Sequence, residues 1–248
     1  MRVLLINPNT SSSVSDLIGA EARRAASSGT RIEVVTAPLG VAYIETRFEA
    51  LIGAWAAANL AAEHAGTYDA LVIAAFGDPG LAGIREAVDV PVVGLTEAAL
   101  MSACMLGGRF SIVAISHRIS AWYRECVQAH GLIGRLASIR CLDQPLGDVG
   151  SVQVDHEARL RELCVRAVDV DGADVIIIAG APLAGLARSI RNDIPVPLVD
   201  GVSSAVRHCE TLVALAPGPA RRGSYAPPPV KPNHGLSPAL QALLARSG

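Results

Sequence analysis

The chain has 248 residues, of which 51% are hydrophobic and 18% charged, with a formal net charge of −2. That length is enough for a full core, built as one large domain or two small ones. The near-neutral balance and scattered Lys/Arg exclude a nucleic-acid groove and an anionic membrane surface as partners.

Short apolar runs alternate with Ala-rich segments along the chain. A strand over residues 3–6 precedes a helix over 12–27; a strand at 32–35 precedes a helix at 47–65. The pattern continues with strand 70–74, helix 82–87, strand 90–93, helix 96–105, strand 110–115 and helix 120–130. It ends with strands at 138–141, 175–179 and 196–199 and helices at 155–170 and 202–215. Continuously apolar strands alternating with helices indicate an α/β fold with parallel sheets covered on both faces. The closing "GPARRGSYAPPPVKPNHG" is too Pro-rich for a core element and reads as an extended strap or as a segment reaching toward a neighbouring subunit.

An internal repeat organises the whole. "YDALVIAAFGDPGLAGIREAVDVPVVGLTEAAL" matches "ADVIIIAGAPLAGLARSIRNDIPVPLVDGVSSAV", pairing Asp69 with Asp174, Ala75 with Gly180 and Pro91 with Pro197. "RVLLINPNT" matches "RFSIVAISH", setting Thr10 opposite His117. Two pseudo-symmetric Rossmann- or flavodoxin-like halves follow, residues 1–97 plus 201–248 and residues 98–200. Ligands of open α/β sheets bind beyond the strand C-termini, so the cleft between the halves is the expected site.

Four loops line that cleft. "NPNTS" supplies Asn7, Asn9 and Thr10; "FGDPG" supplies Phe76, Gly77 and Asp78 behind Ala75. "AISHRIS" supplies Ser116 and His117, and "GAPL" supplies Gly180, Ala181, Pro182 and Leu183. Backbone amides at 9–10, 76–78 and 180–182 are positioned to stabilise negative charge on a substrate oxygen. Asp at a tight turn commonly bonds its own backbone, and Asp78 has that reading beside a supporting role in catalysis. A lone His is as readily structural as catalytic; its place at a strand tip makes His117 a proton-transfer candidate. The segment "GVAYIETRFEA" brings Tyr43, Ile44 and Glu45 toward the cleft, with Glu45 either capping the next helix or meeting substrate. Thr96 and Glu97 read as a capping pair. The remaining histidines fall on helices or in the tail.

Five cysteines (Cys104, Cys126, Cys141, Cys164, Cys209) form no CxxC pair and no zinc spacing. With no secretory h-region in "MRVLLINPNT" and no apolar run near the roughly 20 residues of a membrane helix, reduced thiols in a cytoplasmic protein are expected. P-loop, GxGxxG and GxSxG signatures are absent, and no metal or other cofactor is implied.

"INPNTS", "GVAYIE", "FGDPGL", "VVGLTEAA", "RFSIV" and "RGSYAPPPVKP", in this order, resemble the hydantoin racemases of the aspartate/glutamate/hydantoin racemase superfamily, with allantoin racemase a near relative. The resemblance runs from Met1 to the Pro-rich tail. It implies a cofactor-independent, homo-oligomeric enzyme in which two cysteines, one per half, exchange a proton across the substrate α-carbon. Its two thiol positions correspond to Ala75 and Gly180 here, and Tyr43 stands where the family usually carries a small residue. The expectation is therefore an enzyme acting next to a carbonyl of a hydantoin-, ureide- or amino-acid-like substrate by other means: isomerisation, decarboxylation, a lyase step or ring closure. His117 and Tyr43 are its acid–base candidates, with Asp78 or Glu45 behind them. A catalytically silent binding homologue is the alternative.

Overall fold

The computed structural model describes residues 1–143 and 148–245. β1 (Arg2–Asn7), buried from Val3 onward, pairs in parallel with β2 (Arg31–Thr36) on one side and β3 (Ala70–Ile73) on the other. β4 (Val92–Gly94) closes the sheet in the order β2-β1-β3-β4. The second sheet repeats the plan: β5 (Phe110–Ala114) lies between β6 (Leu136–Cys141) and β7 (Val175–Ile178), and β8 (Leu198–Asp200) forms the edge, giving β6-β5-β7-β8. The fold is thus α/β with two pseudo-symmetric parallel sheets. β3, β5 and β7 are buried at every residue, which is why their sequences are apolar runs rather than alternating ones, broken only at Ser111 of β5, whose hydroxyl bonds Ser138 Oγ (2.8 Å).

β4 and β8 each begin two residues later than their apolar runs predict. Pro91 and Pro197 have no N–H to give to a ladder, yet their carbonyls accept from Leu71 (2.9 Å) and Ile176 (3.0 Å). Each proline therefore marks the same point in its half.

The helices are α1 (Ser12–Ala25), α2 (Arg47–Glu63), α3 (Leu81–Ala87), α4 (Leu95–Leu106) and α5 (Ser120–Ala129), followed by α6 (Val152–Asp169), α7 (Leu186–Ile190) and α8 (Gly201–Leu215). Ser11 caps α1 by accepting from Val14 N–H, while Thr46 and Glu49 form a reciprocal capping box at α2. α6 starts three residues earlier than expected and bends at His156. Helix α4, at the boundary between the halves, packs on β7 and β8, and α8 packs on β3 and β4, where the Cys209 thiol lies 3.8 Å from Leu71 O. The strap (residues 217–235) forms no helix or strand, as read from its prolines. It ends, however, in an unforeseen helix, α9 (Pro238–Leu244), capped by Ser237 and packed through Leu240 and Leu243 against Ala62 of α2.

Candidate active site

At the tip of β1, Asn7 is wholly buried and its amide nitrogen donates to Asn9 Oδ1 (3.0 Å), Ser11 O (3.1 Å) and Ser15 Oγ (3.0 Å). Asn9 N–H donates back to Asn7 Oδ1, Ser11 N–H to Asn9 Oδ1, and Thr10 N–H to Val41 O (3.0 Å). The first loop is therefore knitted by its own polar groups. Among the described residues, the Asn9 side-chain nitrogen and the Thr10 hydroxyl of this set have no hydrogen bond.

The second loop is tied to a helix. Asp78, at φ +49°, accepts from the backbone N–H of Thr96 (2.8 Å) and Glu97 (2.9 Å), and Gly77 N–H donates to Thr96 Oγ1 (2.5 Å). α4 has no cap of its own; Asp78 supplies one from the neighbouring loop, an arrangement worth about 1 kcal/mol. Gly94 makes room for it, because a Cβ there would overlap the Asp78 carboxylate. Burial pushes the Asp78 pKa up to about 7, against the pull of the two amides. Asp78 thus positions the loop, and Thr96 and Glu97 receive a cap instead of providing one.

The second half makes the equivalent tie from the other side. Asp200, the last residue of β8, accepts from Gly185 N–H (2.7 Å) and Ser203 N–H (2.9 Å). Ahead of it, Gly180 (φ 110°, ψ 137°) leads into a 3-10 turn over Ala181–Leu183. Gln153 Nε2 donates to the carbonyls of Pro182 and Ala184, both at 2.9 Å. Ala75, Ala181 and Leu183 are buried, and Ile44 belongs to the core around α1 and α4.

These loops meet. Phe76 and Gly180 line one void with Leu95, Ala184 and Val202, too narrow for a water molecule. Over the second loop lies α5 of the second half: the Tyr123 ring packs tilted at 4.6 Å from that of Phe76, and the Trp122 indole rests on Gly77. Glu45 accepts from Ser116 Oγ and has Arg118 Nε at 3.8 Å from its other oxygen, so it links the halves and does not cap α2. Arg47 makes a two-pronged contact to Glu125, at 2.5 and 2.8 Å.

Two acid–base candidates fare differently. His117 begins an exposed 3-10 turn, its imidazole without a hydrogen bond among the described residues. The turn rotates it outward, a change that a strand-tip alignment does not register. Tyr43, in contrast, reaches from the first half into the apolar cluster of Ile115, Leu142 and Leu183, and its hydroxyl is buried without a hydrogen-bond partner among the described residues. Burial, then the charge of Glu45, raises its pKa.

The Asp/Glu/Hydantoin racemase family matches residues 3–209. A hydantoin racemase of Paenarthrobacter aurescens is 36% identical over 235 residues, covering 93% of this chain and 99% of that one. An allantoin racemase structure from Klebsiella pneumoniae superposes with a TM-score of 0.91 at 35% identity, covering 99% and 100% of the two chains. One from Pseudomonas fluorescens gives 0.89 at 33%, covering 95% and 100%. The chain belongs to the Asp/Glu/hydantoin racemase family.

In this racemase-family cleft, several neighbours escaped sequence reasoning. Cys141, read as remote, is buried at the C-terminal end of β6, 4.0 Å from Ser120 Oγ and near enough to Tyr43 to help raise its pKa. Cys126 on α5 is near Asp78 and Tyr123. The available signal was that α5 follows the tip of β5, where α/β ligands bind. Burial pushes the Cys126 thiol up to about 12 and raises Cys141 as well, so neither is a ready thiolate. Of the expected backbone donors, Asn9, Thr10, Gly77 and Asp78 are engaged and Pro182 has none; Phe76, Gly180 and Ala181 keep free amides among the described residues. Among those residues no group of three His, Cys, Asp or Glu side chains is placed to hold a metal, and no helix is long and apolar enough to cross a membrane.

Proposed function

We propose that this racemase-family chain acts on a small hydantoin-, ureide- or amino-acid-like substrate and generates its carbanion by bond cleavage, as a decarboxylase or lyase does. Resemblance puts the racemase thiols at Ala75 and Gly180, and neither side chain can take a proton. The observation that carries the reading is the Tyr43 hydroxyl, buried at the junction of the halves and unpartnered among the described residues. An unsatisfied buried hydroxyl costs about 1–3 kcal/mol, which a ligand oxygen would recover. Its raised pKa keeps it protonated, hence a hydrogen-bond donor and not a base.

A reaction without a base begins with loss of a stable fragment. The bond from the α-carbon to a carboxylate breaks, CO2 leaves, and the electron pair spreads onto the neighbouring carbonyl oxygen. Tyr43 and the free amides of Phe76 and Ala181 hydrogen-bond that oxygen. A solvent proton then replaces CO2 on carbon. Isomerisation by proton exchange needs a proton removed first and is less well served by these groups.

The test has two arms. Incubation with L-5-benzylhydantoin in deuterated water is expected to leave the α-position unlabelled; labelling at the rate of a racemase would overturn the reading. Calorimetric binding of the same hydantoin is expected to weaken at least tenfold in Tyr43→Phe. A silent binding homologue is the second reading, favoured by the closed packing of Phe76 on Tyr123. Binding without turnover of any α-carboxylated hydantoin would select it.

A further inference from the structure

β4 is an outer strand of the first sheet, and the free side of such a strand needs a cover. Arg85 of α3 covers one carbonyl, donating to Val92 O from Nη2 at 2.6 Å and from Nε at 3.2 Å. The strap runs past this edge without closing against it. A cavity of about 750 Å³ remains, lined by the strap, by the segment around β4 and by α4 and α8. It lies away from the cleft: Asp69 and Pro91 on its wall precede β3 and β4, whereas the cleft loops follow the other ends of the strands. Apolar side chains dominate it, among them Val90, Met101, Leu212 and Val213 with Pro217 and Pro219 of the strap.

Each ionised side chain on the wall already has a partner. Glu97 holds Arg85 at 2.6 Å, Arg221 holds Asp89 at 3.2 Å, and Arg2 holds Asp69 at 3.1 Å. The uncharged polar groups are His208, with Nε2 3.2 Å from Ser102 Oγ, and Tyr225, whose ring centroid is 5.9 Å from the Arg85 guanidinium.

We infer that this cavity is a binding site for a neutral, largely apolar small molecule, separate from the cleft between the halves. Its size falls within the roughly 300–1,000 Å³ of small-molecule sites, and apolar walls with a few polar groups are their usual lining. Charge selects the class of ligand. An ion would give up its hydration in a space where every countercharge is already committed. The strap supplies the way in: the Arg221–Asp89 pair that fastens it is exposed on both sides, hence a weak clasp. Glu97 links the site to the cleft, since its carboxylate holds Arg85 while its N–H is held by Asp78 of the second loop. The assignment is nevertheless independent of the chemistry proposed for the cleft.

A trace of the neutral naphthalene dye PRODAN, titrated with the full chain, tests the site. Its emission is expected to shift to the blue and to saturate before the chain reaches about 200 μM, the affinity of a ligand of this size at ordinary efficiency. Anilinonaphthalene sulfonate, a similar ring system with a negative charge, is expected to bind at least tenfold more weakly. Val213→Trp and Ala220→Trp fill the cavity from the helix and from the strap. Each is expected to weaken PRODAN binding at least tenfold with an unchanged circular dichroism spectrum. Leu51→Gln, at an exposed apolar position of α2, is expected to leave binding as it is. Absence of saturable binding overturns the inference, as does equal or tighter binding of the sulfonate. Undiminished binding in both folded Trp variants, or its loss in Leu51→Gln, overturns the location. Should Val213→Trp not fold, Ala220→Trp on the strap decides alone.

Discussion

Trp122 lies on Gly77 so closely that any side chain at Gly77 would overlap its indole ring. The two residues belong to opposite halves, and Gly77 also adopts φ +102°, a conformation that favours glycine. Overpacking and backbone strain therefore add. Gly77→Ala is expected to lose about 2–4 kcal/mol of stability, measured by urea unfolding. In a Trp122→Ala background the same change should cost less, since only the backbone component remains. Equal costs in both backgrounds would show that the ring is not the obstacle.

Asp78 predicts a pH dependence. Its folded pKa, about 7, lies above its ordinary 3.8, so its contribution to stability is whole below about pH 4 and is lost as pH rises to about 7. Asp200, raised by the same burial, acts in the same sense. Glu21 opposes them: burial pulls its pKa up, but hydrogen bonds from Arg24 and Ser203 and the charges of Arg24 and Arg188 lower it. Urea midpoints at pH 5 and pH 8 should fall less in Asp78→Asn than in the wild type. Parallel slopes would remove Asp78 from the account.

The two positions where resemblance places thiols are not equivalent hosts. Ala75 has an ordinary backbone, whereas Gly180 sits at φ +110°. Ala75→Cys is expected to fold with wild-type stability within about 1 kcal/mol, and Gly180→Cys to lose roughly 1–3 kcal/mol to strain. Chemical denaturation of the two single variants checks this directly.

The thiols already present should be unreactive. Burial raises Cys126 and Cys164 to about 12 and lifts Cys141 and Cys209. At pH 7.5 the folded chain is expected to resist iodoacetamide at these four positions, read by intact-mass spectrometry, and to react there once unfolded. Rapid labelling of Cys126 or Cys141 with loss of hydantoin binding would assign that thiol a role in the cleft.

Much of the architecture was legible because it is periodic. Parallel strands buried on both faces, such as β7, announce themselves as apolar runs, and the repeat pairs Ala75 with Gly180 without any structure. The candidate site was less legible, because its decisive relations are non-local. Sequence places Asp78 in a turn but does not reveal that its carboxylate reaches Thr96 and Glu97 through space left by Gly94. Nor does alignment register that a 3-10 turn swings His117 outward, or that α5 sets Tyr123 on Phe76. Helix α9 was missed because the prolines before it dominate the local composition, although Ser237-Pro238 is an ordinary helix start.

The carboxylates of Asp78 and Asp200 carry a consequence for how such a doubled chain can evolve. One reaches from loop to helix past a glycine; the other sits where that glycine would be and reaches back to its loop. Copying the first half's sequence into Gly94's counterpart, residue 200, would remove one anchor, while the reverse exchange would force two anions into a single socket. The two halves follow one plan, yet at this junction their residues are not interchangeable.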